Sequence, residues 1–149
     1  MVAHILPSAV LFCCTMNEIR SPMAEGIMKR FHGKQVFVDS VGVHQGNLDP
    51  IMVEVMGEIG VDMAKHKPKT FDRLEDDSFD MIIALSPHAQ HKAVDLTRFM
   101  SCEARFWNIF DPSLVEGTRD SKVAAYRQVR DQLQQKILDL FPRSADDIY

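Results

Sequence analysis

The chain has 149 residues, 46% of them hydrophobic, with 17 basic and 21 acidic side chains interspersed. That length is enough for one sizeable core and too short for two ordinary domains, so residues 1–149 are expected to form a single domain. A net charge of −4 argues against a broad basic surface for nucleic acid or an anionic membrane, and three cysteines, two adjacent at Cys13 and Cys14, form neither a disulfide set nor a zinc pattern.

Val2 to Cys14 is apolar but has no basic start and no small-residue cleavage site, which argues against a signal peptide. With the unpaired thiols this points to a reducing, cytoplasmic setting. No run approaches the roughly 20 apolar residues needed to span a bilayer. Ala9-Val-Leu-Phe-Cys13 predicts a strand covered on both faces, and Ser21-Pro-Met-Ala-Glu25 a helix start with Pro22 at the first helical position. Gln35 to Ser40 reads as strand. Asp49-Pro50 caps a helix running to about Gly60, Phe79 to Leu85 is a buried strand, and Pro87 to about Met100 a helix. Glu103 to Phe110 is expected as the last strand, with Trp107 and Phe110 in the core, the alternative being that one of them supplies a stacking wall for a substrate. Ser121 to Phe141 then forms a long amphipathic helix with Val123, Val129, Leu133, Ile137 and Phe141 inward, and the polar tail from Pro142 is expected to fray. Alternating strands and helices predict a parallel sheet, with ligands bound at the carboxyl ends of its strands.

The segment Cys14-Thr-Met-Asn-Glu-Ile-Arg20-Ser21 sits at such an end. Its backbone N–H groups and the helix behind it can receive a dianion, and the same field favours a thiolate at Cys14. Arg20 offers a planar fork for two phosphate oxygens and for the charge that develops on them. Ser21 can donate to the thiolate, and Asn17 tolerates left-handed backbone angles and can pin the curvature. The competing reading makes Cys13 and Cys14 plain strand residues and Arg20 a solvent-facing helix start. The strand, the Ser-Pro helix start and the absence of a following G-K-[ST] favour the phosphate cradle. Cys13 is expected to be buried and inert.

Val10-Leu-Phe-Cys-Cys14-Thr-Met-Asn17-Glu-Ile-Arg20-Ser21-Pro22-Met-Ala-Glu25-Gly26 closely resembles the signature of the low-molecular-weight protein tyrosine phosphatase family. The likeness extends along the chain through Val38-Asp-Ser40-Val-Gly42, Asp49-Pro50, Gly60 to His66, Phe79 to Leu85 and Asp111-Pro112. It implies a three-layer α/β/α sandwich with a four-stranded parallel sheet, a phosphocysteine intermediate on Cys14, a phosphate-binding loop of Cys14, Thr15, Met16, Asn17, Glu18, Ile19, Arg20 and Ser21, and a general acid matched by Asp111. It also implies a loop-supporting network of Asn17, Ser21, Ser40 and His66. Asp111 gains support from its place after the last expected strand; the alternative for an Asp-Pro pair is a turn or cap, the reading given to Asp49-Pro50. No metal and no cofactor are expected, and His32, His44, His88 and His91 are assigned no role. The implied substrates are a phosphorylated protein, phosphotyrosine above all, or a small phosphate ester.

Three residues of the loop, and two after Asp111-Pro112, depart from the pattern the resemblance implies. Many members carry Gly at Met16, an apolar residue at Glu18 and a second cysteine at Ile19. Glu18 near the pocket mouth would repel a dianion unless a cation offsets it. Ser113 and Leu114 stand where phosphotyrosine-specific members carry tyrosines. The nearest alternative is a thiol-dependent arsenate reductase, whose resolving cysteines would be expected between Leu85 and about His91, where this chain has no thiol. A third reading is a low-turnover phosphate- or phosphoprotein-binding module.

Overall fold

Six consecutive apolar residues, Ala9–Cys14, form the central strand β1, and all six are buried. A strand with no polar face needs cover on both sides, and the rest of the fold supplies it. The computed structural model describes residues 6–75 and 78–143. Apart from Pro142 and Arg143, the tail expected to fray lies outside the described residues, as does the start of the N-terminal stretch.

In chain order β1 is followed by α1 (Arg20–His32), β2 (Phe37–Gly42), α2 (Pro50–Gly57), β3 (Met81–Ala84), α3 (Pro87–Leu96), β4 (Glu103–Phe106) and α4 (Arg119–Leu140), with single 3-10 turns at Phe71–Arg73 and Pro112–Leu114. The four strands are parallel in the order β2-β1-β3-β4. Alternation along β1 divides the core. Val10, Phe12 and Cys14 pack with α1, α2 and α4 on one face, whereas Ala9, Leu11 and Cys13 pack with Phe71, Phe79 and the Ala89–Ala93 stripe of α3 on the other. This is the expected three-layer α/β/α sandwich. Among the described residues no helix is long and apolar enough to cross a membrane.

Several boundaries move. The first helix begins at Arg20, so Pro22 occupies its third position; the first four N–H groups of a helix have no intrahelical partner, so proline is tolerated there too. The second strand starts at Phe37 and runs to Gly42. α2 stops at Gly57, and the chain turns through Gly60 at φ +79°. β3 covers only Met81–Ala84, and α3 ends at Leu96. The last strand ends at Phe106 instead of Phe110: it is a mostly exposed edge strand, and beyond it the N–H groups of Trp107 and Ile109 donate to the carbonyls of Ala84, at the end of β3, and Leu85, just past it. Asp49 caps α2 as expected, its Oδ1 accepting from the N–H groups of Ile51 and Met52 at 2.9 and 3.0 Å. The inward residues of α4 are those expected, with Phe141 just past its end and with Tyr126 and Arg130 added.

Candidate active site

Cys14 ends β1 at the carboxyl edge of the sheet, and residues 15–19 curl from it into α1. The curl is laced to the chain leaving β2: the N–H groups of Val43, His44 and Gly46 donate to the carbonyls of Cys14, Thr15 and Met16 at 3.1, 2.8 and 3.0 Å. Gly42 makes this approach possible, because a Cβ there would lie 2.7 Å from the Asn17 nitrogen and 2.8 Å from the Met16 carbonyl carbon. Asn17, at φ 55°, is the one non-glycine residue with positive φ among the described residues. Its N–H turns back onto Cys14 Sγ at 3.3 Å. The amides of Thr15, Met16, Glu18 and Ile19 have no protein acceptor among the described residues.

The side chains under the loop form one directed chain of hydrogen bonds. Lys69 N–H can only donate, so the Asn17 oxygen it meets at 3.0 Å is Oδ1, and Nδ2 is the end that donates to Ser21 Oγ (2.8 Å) and Ser40 Oγ (3.0 Å). Ser40 Oγ in turn donates to the Glu25 carboxylate at 2.5 Å. Ser21 Oγ therefore accepts a hydrogen bond from Asn17, and its own hydrogen is free to point at Cys14 Sγ, 2.9 Å away, with the Val41 carbonyl at 3.3 Å as the competing acceptor. His66 Nε2 lies 2.9 Å from the Asn17 carbonyl, which requires the tautomer protonated at Nε2. Asn17, Ser21, Ser40 and Cys14 are all buried, so a broken member would leave a polar atom without a partner.

Arg20 is 9% exposed. Its Nη1 donates to the Ile109 carbonyl at 3.0 Å, and its Nη2 lies 3.9 Å from Asp111 Oδ2, too long for a hydrogen bond but close enough for a Coulombic pair. Asp111 Oδ1 accepts from the N–H and hydroxyl of Ser113 at 3.0 and 2.7 Å, so this aspartate does cap the turn Pro112–Leu114 while Oδ2 is left facing Arg20. The capping reading and the catalytic one thus use different oxygens. Cys14, Met16, Glu18, Ile19, Arg20, Asp111 and Ser113 line one narrow cleft. A roomier cleft bounded by Lys29, Lys34, Phe37 and Arg143 lies at the opposite end of the sheet, and no cysteine is among the described residues that line it.

The structure brings together every residue of the expected loop, Asp111, and the supporting residues Asn17, Ser21, Ser40 and His66. Four contributors were missed. Glu25 anchors Ser40; it lies one helical turn beyond Ser21, a spacing that was readable. Lys69 orients Asn17, Thr15 Oγ1 donates to Ser86 Oγ at 3.0 Å, and Tyr126 donates to Asp49 Oδ2 at 2.8 Å. Burial, reinforced by the bond to Asp49, pushes the Tyr126 phenol well above its ordinary pKa, so it stays protonated as a donor. Phe110 is not core: it is 55% exposed beside Asp111, whereas Trp107 is half-buried against Phe12. Cys13 faces away from the loop, and burial, with a smaller contribution from Cys14, raises its pKa far above the usual thiol value. Among the described residues no three His, Cys, Asp or Glu side chains converge to hold a metal ion.

The model of the family described as low molecular weight phosphotyrosine protein phosphatase matches residues 9–147. The chain belongs to that family. As a member it is also similar to an arsenate reductase of Halalkalibacterium halodurans, 34% identical over 128 residues that cover 86% of this chain and 91% of the relative. The same fold recurs in an arsenate reductase in the phosphate-binding state (TM-score 0.74, 23% identity, 89% of this chain and 95% of the other). It recurs too in the low molecular weight protein tyrosine phosphatase from T. tengcongensis (TM-score 0.73, 24% identity, 89% and 96%). This family member therefore shares its fold with both phosphatases and arsenate reductases.

Proposed function

We propose that the protein hydrolyses phosphate monoesters through a phosphocysteine. The Cys14 thiolate attacks phosphorus in line, and a sulfur–phosphorus bond forms as the bond to the leaving oxygen breaks. Arg20 and the unpartnered loop amides hold the equatorial oxygens, and Asp111 gives its proton to the departing oxygen. Asp111, now a carboxylate, takes a proton from the water that splits the sulfur–phosphorus bond, which returns thiolate and acid to their starting states. Ser21 stabilises the thiolate both as attacking group and as leaving group. The observation that carries this reading is the single cleft lined by Cys14, Arg20 and Asp111, with Asp111 Oδ2 uncommitted to the cap. The substrate class is a phosphorylated protein or a small phosphate ester, the chain acts as one domain, and three free thiols suit a reducing cytoplasm.

Arsenate reduction is a second reading, supported by the likeness to the curated arsenate reductase. It requires a thiol to resolve the arsenylated Cys14. Register aligns Cys13 with Ala84 and Ala84 with Phe106, and Cys102 lies four residues earlier and two strands across. Strand geometry then separates Cys102 from the Cys13 level by about 16 Å, against the roughly 7 Å Cα limit for a disulfide. Cys13 points to the other face of the sheet. A reductase built on this chain would have to borrow an external thiol.

Hydrolysis of p-nitrophenyl phosphate by wild type and Cys14→Ser, with EDTA present, alongside arsenate reduction in excess small thiol, separates the readings. Cys14-dependent phosphate release unaffected by EDTA is the expected result. Arsenate reduction without phosphate release would overturn it in favour of the reductase, and silence in both assays would leave a binding module.

A further inference from the structure

Seven residues line the cleft over Cys14, and three are ionisable besides the thiol: Arg20, Asp111 and Glu18. The first two have roles in the chemistry. Glu18 does not, and its charge opposes the ligand the cleft is built for. A phosphate dianion entering beside an ionised carboxylate meets a repulsion that at an effective dielectric constant of about 20 amounts to a few kcal/mol at contact distances.

The fold leaves this charge unneutralised. Glu18 makes no ion pair among the described residues, and Arg20 is the only cation lining the cleft. Among the described residues, Glu18 Oε1 accepts a hydrogen bond from the Asn47 N–H at 2.7 Å. Gly46 makes room for that contact, since a Cβ there would fall 2.2 Å from Oε1. The carboxylate is thus held in a fixed position at the mouth. The surrounding wall adds no compensation: Met16 is apolar, Ser113 neutral, and Asp111 acidic. The Tyr126 phenol nearby feels Asp49, Asp111 and Glu18 together as negative charges.

We infer that Glu18 is a specificity-determining residue that selects phosphoryl substrates whose leaving group carries a positive charge. The substrate would bring the cation that Glu18 lacks among the described residues: its phosphate enters the loop, and its ammonium or guanidinium group sits against Glu18. A neutral leaving group of the same shape would meet the repulsion without relief. This deepens the phosphatase reading and rests on it, but binding can be measured apart from turnover.

The probes are 4-(trimethylammoniomethyl)phenyl phosphate and its uncharged isostere 4-neopentylphenyl phosphate. Affinities measured by calorimetry on Cys14→Ser and on Cys14→Ser/Glu18→Gln need no chemistry, while kcat/KM on wild type and Glu18→Gln reads turnover. The Glu18→Gln change keeps an acceptor for Asn47 N–H and removes only the charge. The expected result is about a tenfold preference for the cationic compound, reduced toward one by Glu18→Gln and by raised salt. An affinity ratio that Glu18→Gln leaves unchanged would overturn the inference. So would Glu18→Gln matching wild type while Glu18→Ala weakens both compounds equally, because Glu18 would then be a latch for the loop and nothing more. Preference in binding without Cys14-dependent turnover would keep the inference and sink the phosphatase reading instead.

Discussion

Ser21 Oγ lies 2.9 Å from Cys14 Sγ and accepts a hydrogen bond from Asn17 Nδ2 at 2.8 Å, so the serine hydrogen is available to the sulfur. The direction is imposed from Lys69 N–H and the Glu25 carboxylate, neither of which can reverse its role. The nucleophile is therefore oriented by a network that reaches beyond the cleft lining, to Glu25 on α1, Ser40 on β2 and Lys69.

Replacing Ser21 with Ala removes that donor and leaves one Asn17 hydrogen without a partner. A hydrogen bond to a charged group contributes about 1.5–3 kcal/mol, so kcat should fall roughly tenfold to hundredfold. Steady-state kinetics with p-nitrophenyl phosphate gives the comparison; an unchanged kcat would show that the thiolate does not depend on Ser21.

Asp111→Asn keeps the Ser113 cap, because the amide oxygen still accepts from Ser113 N–H, but it cannot deliver a proton. Alkyl phosphates, whose leaving oxygen needs protonation, should slow by about 10² to 10⁴. p-Nitrophenyl phosphate, with a good leaving group, should slow much less. A series of aryl phosphates of graded leaving-group acidity reads the difference as a steeper slope in the variant, and equal losses across the series would remove Asp111 from the acid role.

Gly42→Ala introduces a Cβ that meets backbone atoms at 2.7 and 2.8 Å, none of which can swing aside. Overpacking of this kind costs about 1–3 kcal/mol, and here the strain falls on the loop itself. Urea unfolding should show the lower stability, and vanadate inhibition of turnover should weaken in parallel. Full stability with unchanged vanadate inhibition would mean that the loop is looser than its hydrogen bonds imply.

Glu58 ties the turn after α2 to α4. Arg127 Nη2 and Arg130 Nη1 meet its two oxygens at 2.6 and 2.8 Å, and these bonds, Arg127 first, lower its pKa from 4.5 to about 2 against the opposing effect of desolvation. Because the folded value is depressed, the stabilisation is fully present above pH 4.5 and disappears as pH falls through about 2. Wild type should melt above Glu58→Gln at pH 7, and the gap should close between pH 4.5 and 2. Since the carboxylate is at the surface, added salt should narrow the gap at pH 7 as well.

Much of the architecture was legible in local patterns. The buried run Ala9–Cys14, the Asp49-Pro50 cap and the inward stripe Val123, Val129, Leu133, Ile137 are matters of period and neighbour, which a chain displays directly. The Cys14-to-Arg20 loop was legible for the same reason, since both ends lie within one turn of chain. Phe110 was misread because strand periodicity was carried past Phe106, where the ladder to β3 ends and the side chain is released to solvent.

The sequence by itself determined the order of strands and helices, the place of the thiol and guanidinium at the end of the first strand, and the likeness to a phosphatase family, because each depends on residues close together along the chain. Only the tertiary structure decided that the hydrogen bonds run outward from Asn17 to Glu25 and to Cys14, that Asp111 divides its oxygens between Ser113 and Arg20, and that Glu18 stands beside the nucleophile with no ion pair among the described residues. Those relations join residues separated by as many as 91 positions, and they are set by how the layers pack, since no local spacing fixes the distance between side chains that reach the sheet edge from different strands.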